Sequence, residues 1–432
     1  CATNLFTTKL CMTTKEEKPT LGGVTIKTRK RNIAVPLDPA SFANAVVAIF
    51  DDTEGETVAE KLSAGCKVLE TSSLDFSRYG ETLFEVLYAG GRMTAGGALE
   101  ENESKLPFHL LKQDATREEI MPFISTFQQL IRRRPFLIKS LENTTCKFLK
   151  SLEFFDAVGQ KKIAMATAMI FSNKLGVLPE EIFESLENDR MISKGTIATF
   201  LTEFLREYLS KCSLEELITL LKKGKIEKRL IEFFPPEKRT PERFNQHFQD
   251  AGLQTIVDYS KALFAEERVK EMEEQLLTSI VEEHPVADVV RLVKEKKESS
   301  GLADTTVLKV VWGSLMKALN LTGKNQQQVQ FMVLKQVKTW QKLIGAVANS
   351  ARLEAALMVE IQVSCYEDSQ KLKLFADIIR LLYDCDVIAE DTIHYWHRKG
   401  SSTKGRNVFM QDMEPFMKWL EEAEEEEEED DD

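Results

Sequence analysis

From about Asp38 to Leu420 the apolar residues of this 432-residue chain recur at three- and four-residue steps, and no alternating pattern persists beyond a few residues. That spacing predicts helices throughout and leaves no sheet for them to cover. Leu83, Phe84 and Leu87 share one face, and Phe123, Phe127, Leu130 and Ile131 repeat the spacing. So do Phe200, Phe204, Leu205 and Tyr208, then Leu308, Val311, Trp312 and Leu315, then Leu374, Ile378, Leu381 and Leu382. Turn residues separate the stripes at Gly90-Gly91, Gly96-Gly97, Gly176, Pro235-Pro236, Pro285 and Gly301. The expected fold is an all-α solenoid of stacked helix pairs. Self-similarity between pairs is weak, so the repeat is read from element spacing.

Three prolines in seven residues, Pro235 to Pro241, cannot continue a helix, and the domain break is expected there. The expected organisation is a flexible basic segment (1–36), a first helical domain (37–236), a second helical domain (242–422) and a disordered acidic tail (423–432). With 43% apolar residues the chain can bury two or three cores. The longest apolar stretch, Ile163 to Phe171, is about half a membrane span, and the N-terminus lacks a signal peptide's apolar run. No membrane association is expected. Cys1 to Lys18 carries no pattern and no initial Met, which reads as a translated fragment or an untypical extension. Seven cysteines without a CxxC pair point to reduced thiols and a cytoplasmic location.

The charge is distributed unevenly. Eleven of the twelve residues from Glu421 to Asp432 are acidic, and without them 57 basic residues face 58 acidic ones. The acidity is a local device, suited either to a solubilising tail or to binding a Lys-rich partner. Basic clusters lie toward the front, at Lys27, Arg29, Lys30 and Arg31, at Arg132, Arg133 and Arg134, and at Lys222 and Lys223. The front run reads as solvated linker more readily than as a nucleic-acid site, since no interleaved aromatics offer bases a stacking surface.

Catalytic patterns are sparse. The Gly90 to Gly97 segment lacks the Lys-Ser/Thr ending of a phosphate loop and a preceding strand, so it reads as an inter-helix loop. Glu390, His394 and His397 fall at helical spacing, but three candidate ligands with no second cluster do not make a zinc site. The five histidines lie near no nucleophile signature. Neither an enzyme activity nor a cofactor is expected.

Near the C-terminus, Phe409, Met413, Phe416, Met417 and Leu420 form one apolar stripe with Trp419 just beside it. The segment Asp384 to Trp396 likewise mixes acidic and aromatic residues. Isolated surface ion pairs contribute only about 0.2–1 kcal/mol, so a charge-driven contact would need aromatic anchors. From spacing, Trp396 and Trp419 fit either core burial, the commoner outcome, or such an anchor.

Several stretches together resemble the translation initiation factor five-mimic proteins, also called basic leucine zipper and W-two domain-containing proteins. They are Lys18 to Gly22 with Lys27 to Arg31, Tyr79 to Phe84 with Ala89-Gly90-Gly91, and Lys228-Arg229-Leu230 with Phe234-Pro235. Phe248 with Ala251-Gly252-Leu253, Cys365-Tyr366 and the two aromatic-acidic boxes complete the likeness, which runs from Lys18 nearly to the end. The leucine zipper in the second name has no counterpart here, since Leu and Val do not recur at seven-residue steps around Glu266 to Leu292. The resemblance implies two HEAT-like domains, the second a W-two domain whose boxes bind the Lys-rich segment of the beta subunit of initiation factor two. Carried onto this sequence, box one is Asp384, Asp386, Glu390, Asp391 and Trp396. Box two is Phe409, Trp419, Leu420, Glu421, Glu422 and Glu424. Contact with initiation factor three is also implied. Factor five begins with a GTPase-activating domain and a zinc ribbon of CxxC pairs, and no such pairs occur here. The implied role is therefore a competitor of factor five that represses initiation and tightens start-codon choice.

Two positions depart from the family pattern. Ala389 stands where a Ser would cap the box-one helix, a loss of about 1 kcal/mol. Pro415 is expected to kink the last helix. A rival reading is an RNA-binding or ribosome-associated scaffold using the basic clusters of the first domain, with the acidic tail as an internal mask.

Overall fold

The computed structural model describes the backbone of residues 20–21, 24–25 and 38–430, apart from 95–96 and 102–103, and the side chains of 38–422 with the same exceptions. Helices dominate these residues. Thr20–Leu21 and Val24–Thr25 form a minimal antiparallel pair. The chain forms two compact units, one of residues 1–166 and 174–177, the other of 167–173 and 178–432.

In the first unit come α1 (Pro39–Asp51), α2 (Val58–Thr71), α3 (Phe76–Ala89), α4 (Arg117–Arg133) and α5 (Leu137–Lys150). Local signals start them. The Asp38 carboxylate accepts from the Ser41 amide at 3.0 Å, and Thr57 with Glu60 forms a reciprocal capping box. Gly90, at φ 87°, ends α3 in the left-handed region that a side chain disfavours. Helix α1 packs on α3, α2 on α4 and α3 on α5, which is the stacking of successive pairs that the spacing predicts. The core is aromatic: Tyr88 stacks on Phe127 and Phe148 at 5.3 and 4.9 Å. Glu85 is buried but satisfied, accepting from the Met93 amide at 3.0 Å and Lys147 Nζ at 2.6 Å.

Helix α6 (Ala157–Ser172) passes from the first unit into the second. There follow α7 (Pro179–Glu184), α8 (Asp189–Ser193), α9 (Thr196–Leu209), α10 (Leu214–Lys223), α11 (Pro241–Asp250) and the 28-residue α12 (Gln254–Val281). Then come α13 (Val286–Ser300), α14 (Asp304–Lys317), α15 (Gln326–Thr339), α16 (Gln341–Val347), α17 (Ala351–Glu367), α18 (Phe375–Asp384), α19 (Glu390–Tyr395) and α20 (Arg406–Asp430). Helix α12 packs on α14, α14 on α17, α15 on α18 and α18 on α20, again every second or third element. The stripes read from the sequence are largely buried, with Leu381 half-exposed. Burial pushes the Cys66 and Cys365 thiols up to about 12, so both stay protonated core residues.

Two boundaries differ from expectation. The proline segment does stop the helices, but its flanks pack together within one unit: Phe234 meets Phe244 and Phe248 at 4.8 and 5.6 Å, and Arg239 Nε donates to the Phe234 carbonyl at 2.8 Å. It is a packed corner, and the compact units divide near 166–178 instead. The backbone of α20 continues to Asp430, past the boundary expected at Glu422. Glu has good intrinsic helix propensity, so a helix nucleated on the packed stripe through Leu420 extends into the acidic run against the repulsion of its like charges. Pro415 lies inside that helix, which continues past it.

Because the corner is held by three interlocked phenyl rings, Phe244→Ala is expected to cost about 3–5 kcal/mol in chemical denaturation. A loss below about 1 kcal/mol would restore the linker reading.

Candidate functional site

The last four helices of the second unit are organised around a side chain that the sequence did not single out. Gln362, in the middle of α17, is completely buried. Its Oε1 accepts from Trp396 Nε1 at 3.1 Å and from the Ser402 amide at 2.9 Å, while its Nε2 donates to the Ser402 and Lys404 carbonyls at 2.9 and 2.7 Å. All four hydrogen-bonding positions of the amide are filled, so its burial carries no unpaired group. Helix α19 runs into a π-helical turn, Trp396–Gly400, and the node ties that turn and the following loop to α17.

The consequence for the two boxes is a correction. Trp396 has 0% exposure, with its ring 4.9 Å from Phe375, and Phe375 lies 4.9 Å from Phe409 on its other contact. Phe409 and Leu420 are buried as well. Trp396, Phe409 and Leu420 therefore build the core and cannot touch a partner of the folded chain. Helical spacing places each on an apolar stripe, and here that stripe is covered.

Trp419 differs. It is 43% exposed, while Trp312, Trp340 and Trp396 are all buried. Its ring stacks on Phe416 at 5.8 Å, meets Tyr383 edge-on at 6.2 Å and lies 5.6 Å from the Arg380 guanidinium. Tyr383 joins the two boxes, since its hydroxyl also reaches Glu390 Oε2 at 3.4 Å, a weak hydrogen bond. Neither Tyr383 nor Arg380 was foreseen; both sit on α18 one turn from each other, in the last turn and a half before Asp384.

Of the predicted carboxylates, Asp384, Asp386, Asp391, Glu421 and Glu422 are exposed. Asp386 takes a left-handed φ of 56° just past the end of α18, a conformation that Asp tolerates better than most residues. Glu390 is half-buried, with its Oε1 3.6 Å from His394 Nε2. Among the described residues no His, Cys, Asp and Glu group is arranged to hold a metal. The Glu424 side chain lies outside the described residues. Ala389 caps α19 without a side-chain bond, as its identity requires. A carboxylate from another helix occupies that end: Glu354 Oε2 accepts from the Ala389 amide at 2.9 Å and from Thr392 Oγ1 at 2.8 Å.

The basic clusters are partly committed. Arg133 pairs with Glu70 at 3.3 Å, and Arg134 lies 4.2 Å from the Phe76 ring and donates to the Leu69 and Glu70 carbonyls. Lys222 is 3.6 Å from Glu227. Arg132 and Lys223 are exposed. Lys27, Arg29, Lys30 and Arg31 lie outside the described residues, as does the expected 1–36 segment apart from its four strand residues.

Comparison with known proteins bears on both ends of the chain. Residues 26–271 match the family described as the 5MP1/2 HEAT domain, which runs straight through the proline corner. Residues 353–430 match the family described as eIF4-gamma/eIF5/eIF2-epsilon, and these are the helices that carry both boxes. The chain is 34% identical to Protein krasavietz of Drosophila melanogaster over 96% of its length and 97% of that protein. It is 30% identical to eIF5-mimic protein 2 of Gallus gallus (96% and 97% covered) and to eIF5-mimic protein 2 of Homo sapiens (95% and 96% covered).

The geometry separates the two tryptophans by experiment. Gln362→Leu strands the Trp396 indole N–H and Ser402 amide, and is expected to cost about 1–3 kcal/mol for each stranded group. Trp396→Ala should cost about 3–5 kcal/mol. Trp419→Ala should cost clearly less than either in the same denaturant titration; an equal or larger loss would mean that Trp419 is core.

Proposed function

The chain belongs to the eIF5-mimic protein family, and on that premise we propose that it is a non-enzymatic, cytoplasmic regulator of translation initiation. It captures the Lys-rich segment of the beta subunit of initiation factor two on the edge formed by Trp419, Tyr383 and the exposed carboxylates Asp384, Asp386, Asp391, Glu421 and Glu422. Contact with initiation factor three, competition with factor five, repression of general initiation and tighter start-codon selection complete the reading. The observation that carries it is the single exposed tryptophan at the root of the acidic tail, within a region matched by the eIF4-gamma/eIF5/eIF2-epsilon family. The relatives' printed names, as mimics of factor five, support the same role.

Physically the two ingredients divide the work. Dense negative charge raises the encounter rate with a cationic segment and sets a steep salt dependence. A half-exposed indole supplies contact that salt does not screen, including cation–π attraction for lysine. The rival reading, an RNA or ribosome scaffold built on the basic clusters, is weaker because Arg133, Arg134 and Lys222 already engage Glu70, Phe76 and Glu227.

Binding of the full chain to the isolated factor-two segment across a salt series tests the proposal. Reversing Glu421, Glu422 and Glu424 to Lys should weaken capture and flatten its salt dependence. Trp419→Ala should weaken capture at every salt by about 1–2 kcal/mol. Unchanged binding in both variants, with melting curves intact, would sink this site.

A further inference from the structure

Within the acidic edge stands a cation that has no obvious place there. Arg380 projects from α18 with Asp377 one turn before it and Asp384 one turn after, and all three are exposed. Among the described side chains it pairs with no carboxylate and instead lies 5.6 Å from the centroid of the Trp419 ring. Phe416 stacks on that ring and Tyr383 meets it edge-on, so the indole is held between α18 and α20 with Arg380 over it. An arginine in this position does two things to an incoming lysine. It occupies the π-surface that would attract an ammonium ion, and it puts a positive charge among carboxylates whose field draws the partner in.

We propose that Arg380 is the protein's own occupant of the Trp419 face that a partner's lysine takes, so that capture of a Lys-rich segment is an exchange of one cation for another. This rests on the lysine-capture reading above and deepens it. The displaced guanidinium is not stranded. Arg380, Asp377 and Asp384 line one open groove between α15 and α18, together with Lys335 and Lys338. Asp377 Oδ2 already accepts from Gln330 Nε2 at 2.8 Å, so Asp384 is the carboxylate toward which the arginine can swing off the ring while staying in water. An exchange of this kind lowers affinity for isolated cations, which cannot replace Arg380 and fill the carboxylates at once. It favours segments with several lysines in a row, because one displaces Arg380 while others meet Asp384, Glu421 and Glu422. Arg380 is thus a specificity-determining residue for multivalent partners.

The test uses the full chain and a synthetic oligolysine peptide, in a double-mutant cycle of Arg380→Gln and Trp419→Ala measured at low and high salt. Arg380→Gln is expected to bind the peptide about two- to fivefold more tightly, and the gain should persist at high salt, where plain charge effects are screened. In the Trp419→Ala background the high-salt gain should vanish. An equal gain there would mean that Arg380 acts only as a distant charge, and a loss of affinity in Arg380→Gln would mean that it serves binding; either result overturns the exchange. A second readout needs no partner. Trp419 is the only exposed one of the four tryptophans, so acrylamide quenching of the accessible fluorescence reports on it. Quenching should rise in Arg380→Gln, and unchanged quenching would show that the arginine does not cover the ring and overturn the proposal. Failure of the wild-type chain to bind oligolysine at all would sink the lysine-capture reading and the exchange with it, whereas binding without coupling would sink the exchange alone.

Discussion

The four hydrogen bonds of the Gln362 amide decide what the C-terminal helices can do. A buried amide left unpaired costs several kilocalories, so once Gln362 lies in the centre of α17 its partners are constrained together. Trp396 must bring its indole N–H to Oε1, and the Ser402 to Lys404 loop must present backbone to both ends of the amide. Satisfying these conditions turns α19 into its π-helical turn, and the loop then delivers the start of α20 with Phe409 against Phe375. From there the stripe of Met413, Phe416, Met417 and Leu420 seals the helix onto its neighbours. Trp419 points off that stripe beside the final acidic run. One tryptophan is consumed in fixing the frame so that the other can be presented by it.

How much of this was legible in the sequence follows from what periodicity encodes. A three-to-four spacing tells which residues share a helix face, and so the all-helical fold and nearly every buried stripe could be read from the residues. It does not tell whether a face is covered. Trp396 and Trp419 both sit among acidic residues on helical segments, and what separates them is packing on Phe375 and the bond to Gln362, 34 positions before Trp396. A glutamine in step with Met358 and Cys365 on one face of α17 was the available signal, since a polar residue on a buried stripe calls for a partner. The Pro235 to Pro241 segment shows the same limit: proline chemistry correctly ends the helices, but the packing of Phe234 on Phe244 and Phe248 makes a corner of what reads as a linker. Family resemblance, carried residue by residue, grouped buried side chains such as Trp396, Phe409 and Leu420 with exposed ones such as Trp419 and Asp384 in the same two boxes.

The proposed site also draws on more side chains than a tail of negative charge implies. Tyr383 touches both boxes, Glu354 holds the start of α19 in place of a capping serine, and Arg380 lies over the Trp419 ring. Each is a single side chain reaching in from a neighbouring helix. The proposed binding edge is therefore a product of the stacked-helix scaffold rather than of the terminal segment by itself, with its aromatic part packed between α18 and α20 and its carboxylates in solvent.

The claim that Trp419, and not Trp396, meets the partner can be tested by following the indole N–H resonances of the four tryptophans in labelled full-length protein during titration with the Lys-rich factor-two segment. The account predicts that the Trp419 resonance, assigned by substitution, shifts progressively to saturation while that of Trp396 keeps the position set by its bond to Gln362. A shift at Trp396 with Trp419 unmoved would contradict it.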